Sequence, residues 1–95
     1  MRIITAIVRP FKLDELRNAI AQLGVQGVTV TEVHEIGFGP RHKVEIAVDA
    51  AIAEPVVEAI ANVSRTTRPG DGLILVVHLE QAIRIRTGEI GTAAT

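Results

Sequence analysis

The chain has 95 residues, 47% of them hydrophobic, and a formal net charge of -1 at pH 7. This length predicts one small domain, residues 1–95, and the hydrophobic fraction argues against a disordered chain. The near-neutral charge and the presence of only two aromatic residues argue against a nucleic-acid-binding surface. Without cysteine there is no disulfide or thiolate site, and no apolar run is long enough to span a membrane, so we expect a cytoplasmic protein.

The first half of the chain begins with a strand and a helix. Residues 3–8 are rich in β-branched side chains and end just before Pro10, which favours a strand that stops there. Apolar residues then recur at helical spacing over 13–23, and Gly24 is a natural helix stop.

The middle of the chain predicts two strands followed by a helix. Residues 28–33 and 43–48 have strand patterns, and a turn signal at 37–40 separates them. Apolar spacing over 56–63 indicates a second amphipathic helix, with Pro55 in its first turn.

A final strand over 73–78 completes the order β-α-β-β-α-β. This order is that of the ferredoxin-like fold, an α+β sandwich in which two helices cover one face of an antiparallel sheet. The first and last strands are apolar on both faces, so the face without helices would be exposed in a monomer. We therefore expect self-association.

Two features near the C-terminus predict a site for a phosphorylated small molecule. The glycine-containing stretch 65–72 offers backbone N–H groups to an anion. Arg84 and Arg86 place two guanidinium groups on one side of an extended segment. Taken alone, the glycines are equally consistent with a tight helix-to-strand turn, and the arginines with a solvated edge or with salt bridges between subunits.

Evidence for a metal site or for catalysis is weak. His34 and His42 flank Phe38 at similar distances, and in a regular hairpin they would face each other as weak candidate metal ligands. Two exposed polar side chains on a hairpin are the more common arrangement. Ser64 is the only serine and nothing places a base beside it, so we expect a protein that is not an enzyme.

Several stretches resemble the PII signal-transduction proteins, the nitrogen-regulatory trimers. The most specific are residues 9–14 (Arg-Pro-Phe-Lys-Leu-Asp) and 83–89 (Ile-Arg-Ile-Arg-Thr-Gly-Glu). Residues 27–33, 43–46 and 70–72 also match, in the family's order. The resemblance implies a non-enzymatic homotrimer that binds an adenine nucleotide (ADP, AMP or ATP) in clefts between subunits. It also implies a protein target, which is a transporter, an enzyme or a regulator of unknown identity.

The resemblance further implies which residues bind the nucleotide. Thr29 and Glu45 match positions near the adenine, Ile7 matches an apolar wall, and residues 66–72 match the family's B-loop beside the phosphates. The full set of implied nucleotide-binding residues is Ile7, Val28, Thr29, Gly37, Phe38, Gly39, Arg41, Glu45, Arg68, Gly70, Asp71, Gly72, Arg84 and Arg86.

The chain also departs from the family pattern. The long T-loop is missing, because Gly39 runs directly into Pro40, and the absence of tyrosine excludes uridylylation of a T-loop tyrosine. A family lysine is replaced by Leu73, and a B-loop glycine by Thr67. Chelation of MgATP with 2-oxoglutarate is therefore disfavoured, and ADP or AMP is expected in preference to MgATP. Whether the loop is naturally short or was removed by design stays open.

Two alternative functions remain. The first is a metal- or transport-associated interaction module whose nucleotide site has decayed. The second is a small ferredoxin-like enzyme that acts on phosphorylated compounds.

Overall fold

A computed structural model describes residues 1–25 and 27–91 of the chain. This part contains the elements β1 (Arg2–Val8), α1 (Leu13–Ala21), β2 (Thr29–Glu35), β3 (Gly39–Val48), α2 (Ala50–Ser64) and β4 (Gly72–His78). The strands form one antiparallel sheet in the order β2-β3-β1-β4. The ferredoxin-like α+β fold predicted from the sequence is confirmed.

The core lies between one face of the sheet and the two helices. Alternate residues of β1 and β3 point to this face, and they meet residues at helical spacing on α1 and α2. Each large side chain buried in this way contributes about 1.5–3 kcal/mol of hydrophobic stabilisation. The core residues are Ile4, Ala6, Val8, Leu16, Ile20, Val44, Ile46, Val48, Ala53, Val56 and Ile60. Both helices therefore cover the same face, as the sequence predicts.

Local signals explain where α1 begins and ends. Arg9 is extended because Pro10 follows it, and a short 3₁₀ turn over Pro10–Lys12 leads into the helix. Asp14 and Glu15 in the first turn interact favourably with the helix dipole. At the other end Gly24 takes a φ of +86°, a conformation that glycine adopts without strain, which agrees with the predicted stop.

Helix α2 starts earlier than predicted. The carboxylate of Asp49 accepts a hydrogen bond from the backbone N–H of Ala51, and this N-cap begins the helix at Ala50. Pro55 consequently lies inside the helix, so the prediction that it occupies the first turn is wrong. The missing N–H of Pro55 leaves the carbonyl of Ala51 without its usual intrahelical donor.

The β2–β3 hairpin is tighter than the sequence suggested. The N–H of Phe38 donates to the carbonyl of Glu35 at 2.9 Å, and Gly37 takes a φ of +91° inside this turn. Strand β3 already begins at Gly39 and includes Pro40, whereas the predicted strand began at residue 43. Proline is tolerated there because the pairing of β3 with β1 stops at His42, so no ladder hydrogen bond is lost on that side.

The second face of the sheet, on the side away from the helices, is called the open face. On β1 and β4 it carries apolar side chains, including Ile7, Leu73, Leu75 and Val77. In the described residues it has no helix to cover it, so the sequence-based reason for expecting self-association is present in the structure. Among the described residues, no helix is long and apolar enough to cross a membrane.

Candidate functional site

Most of the residues proposed from the sequence lie at one end of the sheet. Val8, the last residue of β1, pairs with His42 on one side and with Gly72 on the other. The segment after β1, the β2–β3 hairpin and the loop of residues 65–71 between α2 and β4 therefore converge at this end. We call it the loop end of the sheet, and the connecting segment the α2–β4 loop.

The α2–β4 loop is folded around Asp71. The backbone N–H of Thr66 donates to Asp71 Oδ2 at 2.7 Å, and the Thr66 hydroxyl donates to Oδ1 of the same carboxylate. The Thr66 hydroxyl oxygen also accepts a hydrogen bond from the N–H of Arg68 at 3.0 Å. The two hydrogen bonds from Thr66 to the carboxylate, assisted by the nearby charge of Arg9, hold the pKa of Asp71 below its usual value of 3.8.

Arg9 ties the end of β1 to the same loop. Its Nη2 donates to the carbonyl of Pro69 at 2.8 Å, and its Nε lies 3.4 Å from Asp71 Oδ1. A carboxylate that already accepts two hydrogen bonds and pairs with an arginine has little capacity to contact a ligand, and it would repel a phosphate. The structure therefore gives Asp71 a positioning role in the loop.

Gly70 and Gly72 are required by two different close approaches. Both have positive φ values, +87° and +114°. A Cβ on Gly70 would lie 2.9 Å from Cδ1 of Phe38, so the ring packs directly against this turn. A Cβ on Gly72 would lie 1.8 Å from the carbonyl oxygen of Ile7, so only glycine permits this approach of β4 to β1.

The hairpin contributes a buried cation to the loop end. Arg41 is only 5% exposed, although strand alternation directs it to the open face rather than to the core. Its guanidinium carbon lies 5.6 Å from the centre of the Phe38 ring, and its Nε lies 3.5 Å from Glu35 Oε1. Its Nη2 would be 3.4 Å from a Cβ on Gly70. The hairpin and the α2–β4 loop therefore meet at this guanidinium.

The residues matched to the adenine and to the apolar wall lie on the open face. Thr29 pairs with Glu45, and the two border an open concavity that is also lined by Val28. Ile7 pairs with Leu73 one row closer to the loop end. The structure thus arranges the apolar wall and the adenine-matching pair as neighbouring rows of one surface.

Arg84 and Arg86 are far from the loop end within one chain. Strand β4 runs from Gly72 beside Val8 to His78 beside Arg2, so the segment that follows it leaves from the opposite end of the sheet. This segment is held by an isolated bridge between Ile83 and Ile90, and the N–H of Arg84 donates to the carbonyl of Glu89 at 2.8 Å. Both arginine side chains are exposed. Within a single chain, the arginine pair and the α2–β4 loop therefore lie at opposite ends of the sheet.

The remaining candidates are less well placed. Arg68 lies in the α2–β4 loop, and its exposed side chain makes no hydrogen bond or ion pair within residues 1–25 and 27–91. His34 pairs with Pro40, and His42 pairs with Glu32, so the expectation that the two histidines face each other is wrong. The hairpin register offsets them by two residues, because the turn is centred closer to His34. In the described part of the chain, no group of three or more potential metal ligands is present.

Two residues of the loop end, Arg9 and Glu35, were not identified from the sequence as site residues. Together with Thr66, which the sequence placed in the B-loop without a specific role, they orient the α2–β4 loop and Arg41. The Arg-Pro pair indicated a strand end and the start of the family-like motif at residues 9–14, but no contact with this loop. Its link to the loop is a contact across 60 residues, which no local pattern predicts.

Comparison with known proteins identifies the family. A model of the family described as nitrogen regulatory protein P-II matches residues 1–89. The P-II protein of Rhizobium etli is 41% identical over 111 residues, covering 99% of each chain, and that of Rhizobium meliloti is 43% identical with the same coverage. The P-II protein of Rhodospirillum rubrum is 42% identical over 108 residues, covering 96% of each chain. The chain therefore belongs to the nitrogen regulatory protein P-II family.

Proposed function

We propose that this chain is a non-enzymatic signal-transduction regulator that binds an adenine nucleotide between the subunits of a homotrimer. The observation that carries the proposal is the separation of its cationic groups. The fixed α2–β4 loop and Arg41 lie at one end of the sheet, and Arg84 and Arg86 leave from the other end. A phosphate site that uses both groups requires a second copy of the chain.

The open face supports the trimer. Its apolar rows on β1 and β4 include Leu75 and Val77, each about half exposed. Burial of such a surface against other copies stabilises an assembly by about 25 cal/mol per Å² of apolar area. The same assembly brings a neighbour's C-terminal segment close to a loop end.

A short hairpin in place of the family's long T-loop supports a preference for ADP or AMP. The alignment with the Rhizobium etli protein covers 111 positions and this chain has 95 residues, so at least 16 positions of the alignment have no residue here. We assign these positions to the three-residue turn between Glu35 and Gly39. Without that loop and with Leu73 in place of a lysine, fewer groups are available to hold a terminal phosphate.

Calorimetric titration with ATP, ADP and AMP tests the proposal. We expect binding by at least one nucleotide, and about a tenfold or greater loss of affinity in Arg84→Ala, since a charge-assisted hydrogen bond is removed. Arg17→Ala, which removes the same charge from the exposed surface of α1, is the matched control and should bind as the parent does. Light scattering should give the mass of three chains.

The principal alternative is an interaction module with a decayed nucleotide site, a role associated with metals or transport. The observation that favours it is Leu73, which places an apolar side chain on the open face beside Ile7. Failure of all three nucleotides to bind a folded, trimeric protein would favour this alternative. Turnover of a nucleotide that Arg84→Ala abolishes would instead favour an enzyme.

A further inference from the structure

Arg41 is a buried cation whose hydrogen-bonding capacity is unused. Its guanidinium carries five N–H donors, yet within residues 1–25 and 27–91 it donates no hydrogen bond. Its Nε is buried, and the carboxylate of Glu35, 3.5 Å away, is at ion-pair distance but without hydrogen-bond geometry. A buried N–H without an acceptor is costly, and an acceptor that supplied the missing hydrogen bond would remove this cost.

The surroundings of Arg41 fix its position. The Phe38 ring lies against the guanidinium on one side, at the distance of a cation–π contact. Next to Nη2 is the turn at Gly70, where the absence of a side chain allows the Phe38 ring and the guanidinium to approach the backbone closely. An oxyanion at this turn would receive hydrogen bonds from a guanidinium that is already in place.

Glu35 also interacts with Arg41, and in the described residues it is the only carboxylate paired with this guanidinium. It is the last residue of β2, and its carbonyl accepts the hydrogen bond that closes the hairpin turn. This bond fixes the backbone of Glu35 at a position from which its side chain reaches Arg41. A negative charge held there neutralises Arg41 and repels an arriving anion.

We propose that Glu35 is an internal counter-ion that competes with a ligand's phosphate for Arg41. Glu35 is thus a specificity-determining residue that weakens the binding of phosphate-bearing ligands. The proposal rests on the proposed function for the identity of the ligand as an adenine nucleotide. The inference that an oxyanion binds beside Arg41 does not depend on the proposed function, because it is drawn from the geometry of Arg41 and Gly70.

The proposal predicts that removing the carboxylate improves binding. Glu35→Gln keeps the size of the side chain and removes its charge, so affinity for a phosphate-bearing ligand should rise by about three- to tenfold after screening by salt. In an Arg41→Gln background the same substitution should give a clearly smaller gain, because only the direct repulsion between Glu35 and the anion is then relieved. A purely structural role of Glu35 would instead produce equal or weaker binding.

Glu32→Gln is the matched control. Glu32 lies on the same strand and its substitution changes the net charge by the same amount, but strand alternation directs it to the other face, opposite His42. The affinity of this variant should equal that of the parent. Glu35→Ser, which removes the same charge with a shorter side chain, provides a second test if Glu35→Gln does not fold.

Calorimetry with two probes, ADP and inorganic tripolyphosphate, separates this proposal from the proposed function. A gain for both probes in Glu35→Gln that is much smaller when Arg41→Gln is also present supports the proposal. The same pattern with tripolyphosphate, in a protein that does not bind ADP, supports it while refuting the nucleotide function. An unchanged or lower affinity in folded Glu35→Gln would overturn the proposal, as would a gain of equal size without Arg41 or an absence of binding by either probe to parent and variant. Loss of a cooperative melt in both Glu35 variants would make Glu35 a structural residue and overturn it too.

Discussion

Gly72→Ala tests a close backbone approach between β4 and β1. Gly72 is the first residue of β4, pairs with Val8 and has a φ of +114°. An alanine Cβ would lie 1.8 Å from the carbonyl oxygen of Ile7. That oxygen belongs to the backbone of the strand next to β4, so it cannot rotate away as a side chain would. The start of β4 must therefore separate from β1.

The expected destabilisation combines two effects. A non-glycine residue at this φ costs about 1–3 kcal/mol, and the forced displacement of packed strands costs about 1–3 kcal/mol more. We therefore expect a loss of about 2–6 kcal/mol, a large part of the stability of a small domain. Since each kcal/mol shifts the melting temperature by about 4–8 °C in a domain of this size, the midpoint should fall by at least about 8 °C.

Gly24→Ala provides the matched control. Gly24 has a similar φ of +86°, but nothing would lie within 4 Å of an alanine Cβ at that position. Only the backbone strain remains, so the loss should be about 1 kcal/mol. Thermal and urea unfolding followed by far-UV circular dichroism suit a chain without tryptophan or tyrosine. All proteins should be compared at one concentration, because self-association raises stability. Equal losses in the two variants would refute the steric argument.

Three further predictions concern the loop end. The pKa of Asp71 is lowered in the folded chain by the Thr66 hydrogen bonds, so its stabilisation is present above about pH 4 and is lost as the pH falls through the folded pKa. Asp71→Asn should therefore lower the melting temperature at pH 7 and make it less dependent on pH between 7 and 3, whereas parallel pH profiles would contradict this. Arg9→Ala should speed hydrogen exchange at the Thr66 amide, which bonds to Asp71, and leave the Phe38 amide in the hairpin turn unchanged. Leu73→Lys should strengthen ATP binding more than ADP binding, by about tenfold. Asn62→Lys, which adds the same charge at an exposed position of α2, is its control. Equal effects on both nucleotides would mean that residue 73 does not face the phosphates.

The element types and their order were predictable because they depend on local patterns. The alternation of apolar residues in β3, the helical spacing in α1 and the stop at Gly24 each act over a few residues. The boundaries were less predictable where a single interaction decides them. The Asp49 cap starts α2 at Ala50 and places Pro55 inside the helix.

The sequence selected several residues that the structure brings together at the loop end, but it did not predict their geometry. The resemblance selected Gly70, Gly72 and Arg41, and all three lie at the loop end. It also grouped them with Arg84 and Arg86. Within a single chain, these two arginines follow β4 at the opposite end of the sheet. The direction of β4 alone causes this separation, and direction within a sheet is not visible in a motif.

The sequence by itself determined the fold class, the family and the positions of the two glycine constraints, because periodicity, turn residues and motifs are properties of neighbouring residues. Only the tertiary structure decided which charged groups meet. Arg9 reaches Pro69 and Asp71 because β1 and β4 are adjacent strands, and Arg41 meets both Glu35 and Gly70 because the hairpin register turns it toward the α2–β4 loop. Such contacts depend on strand order and register, which are fixed by the packing of the whole core.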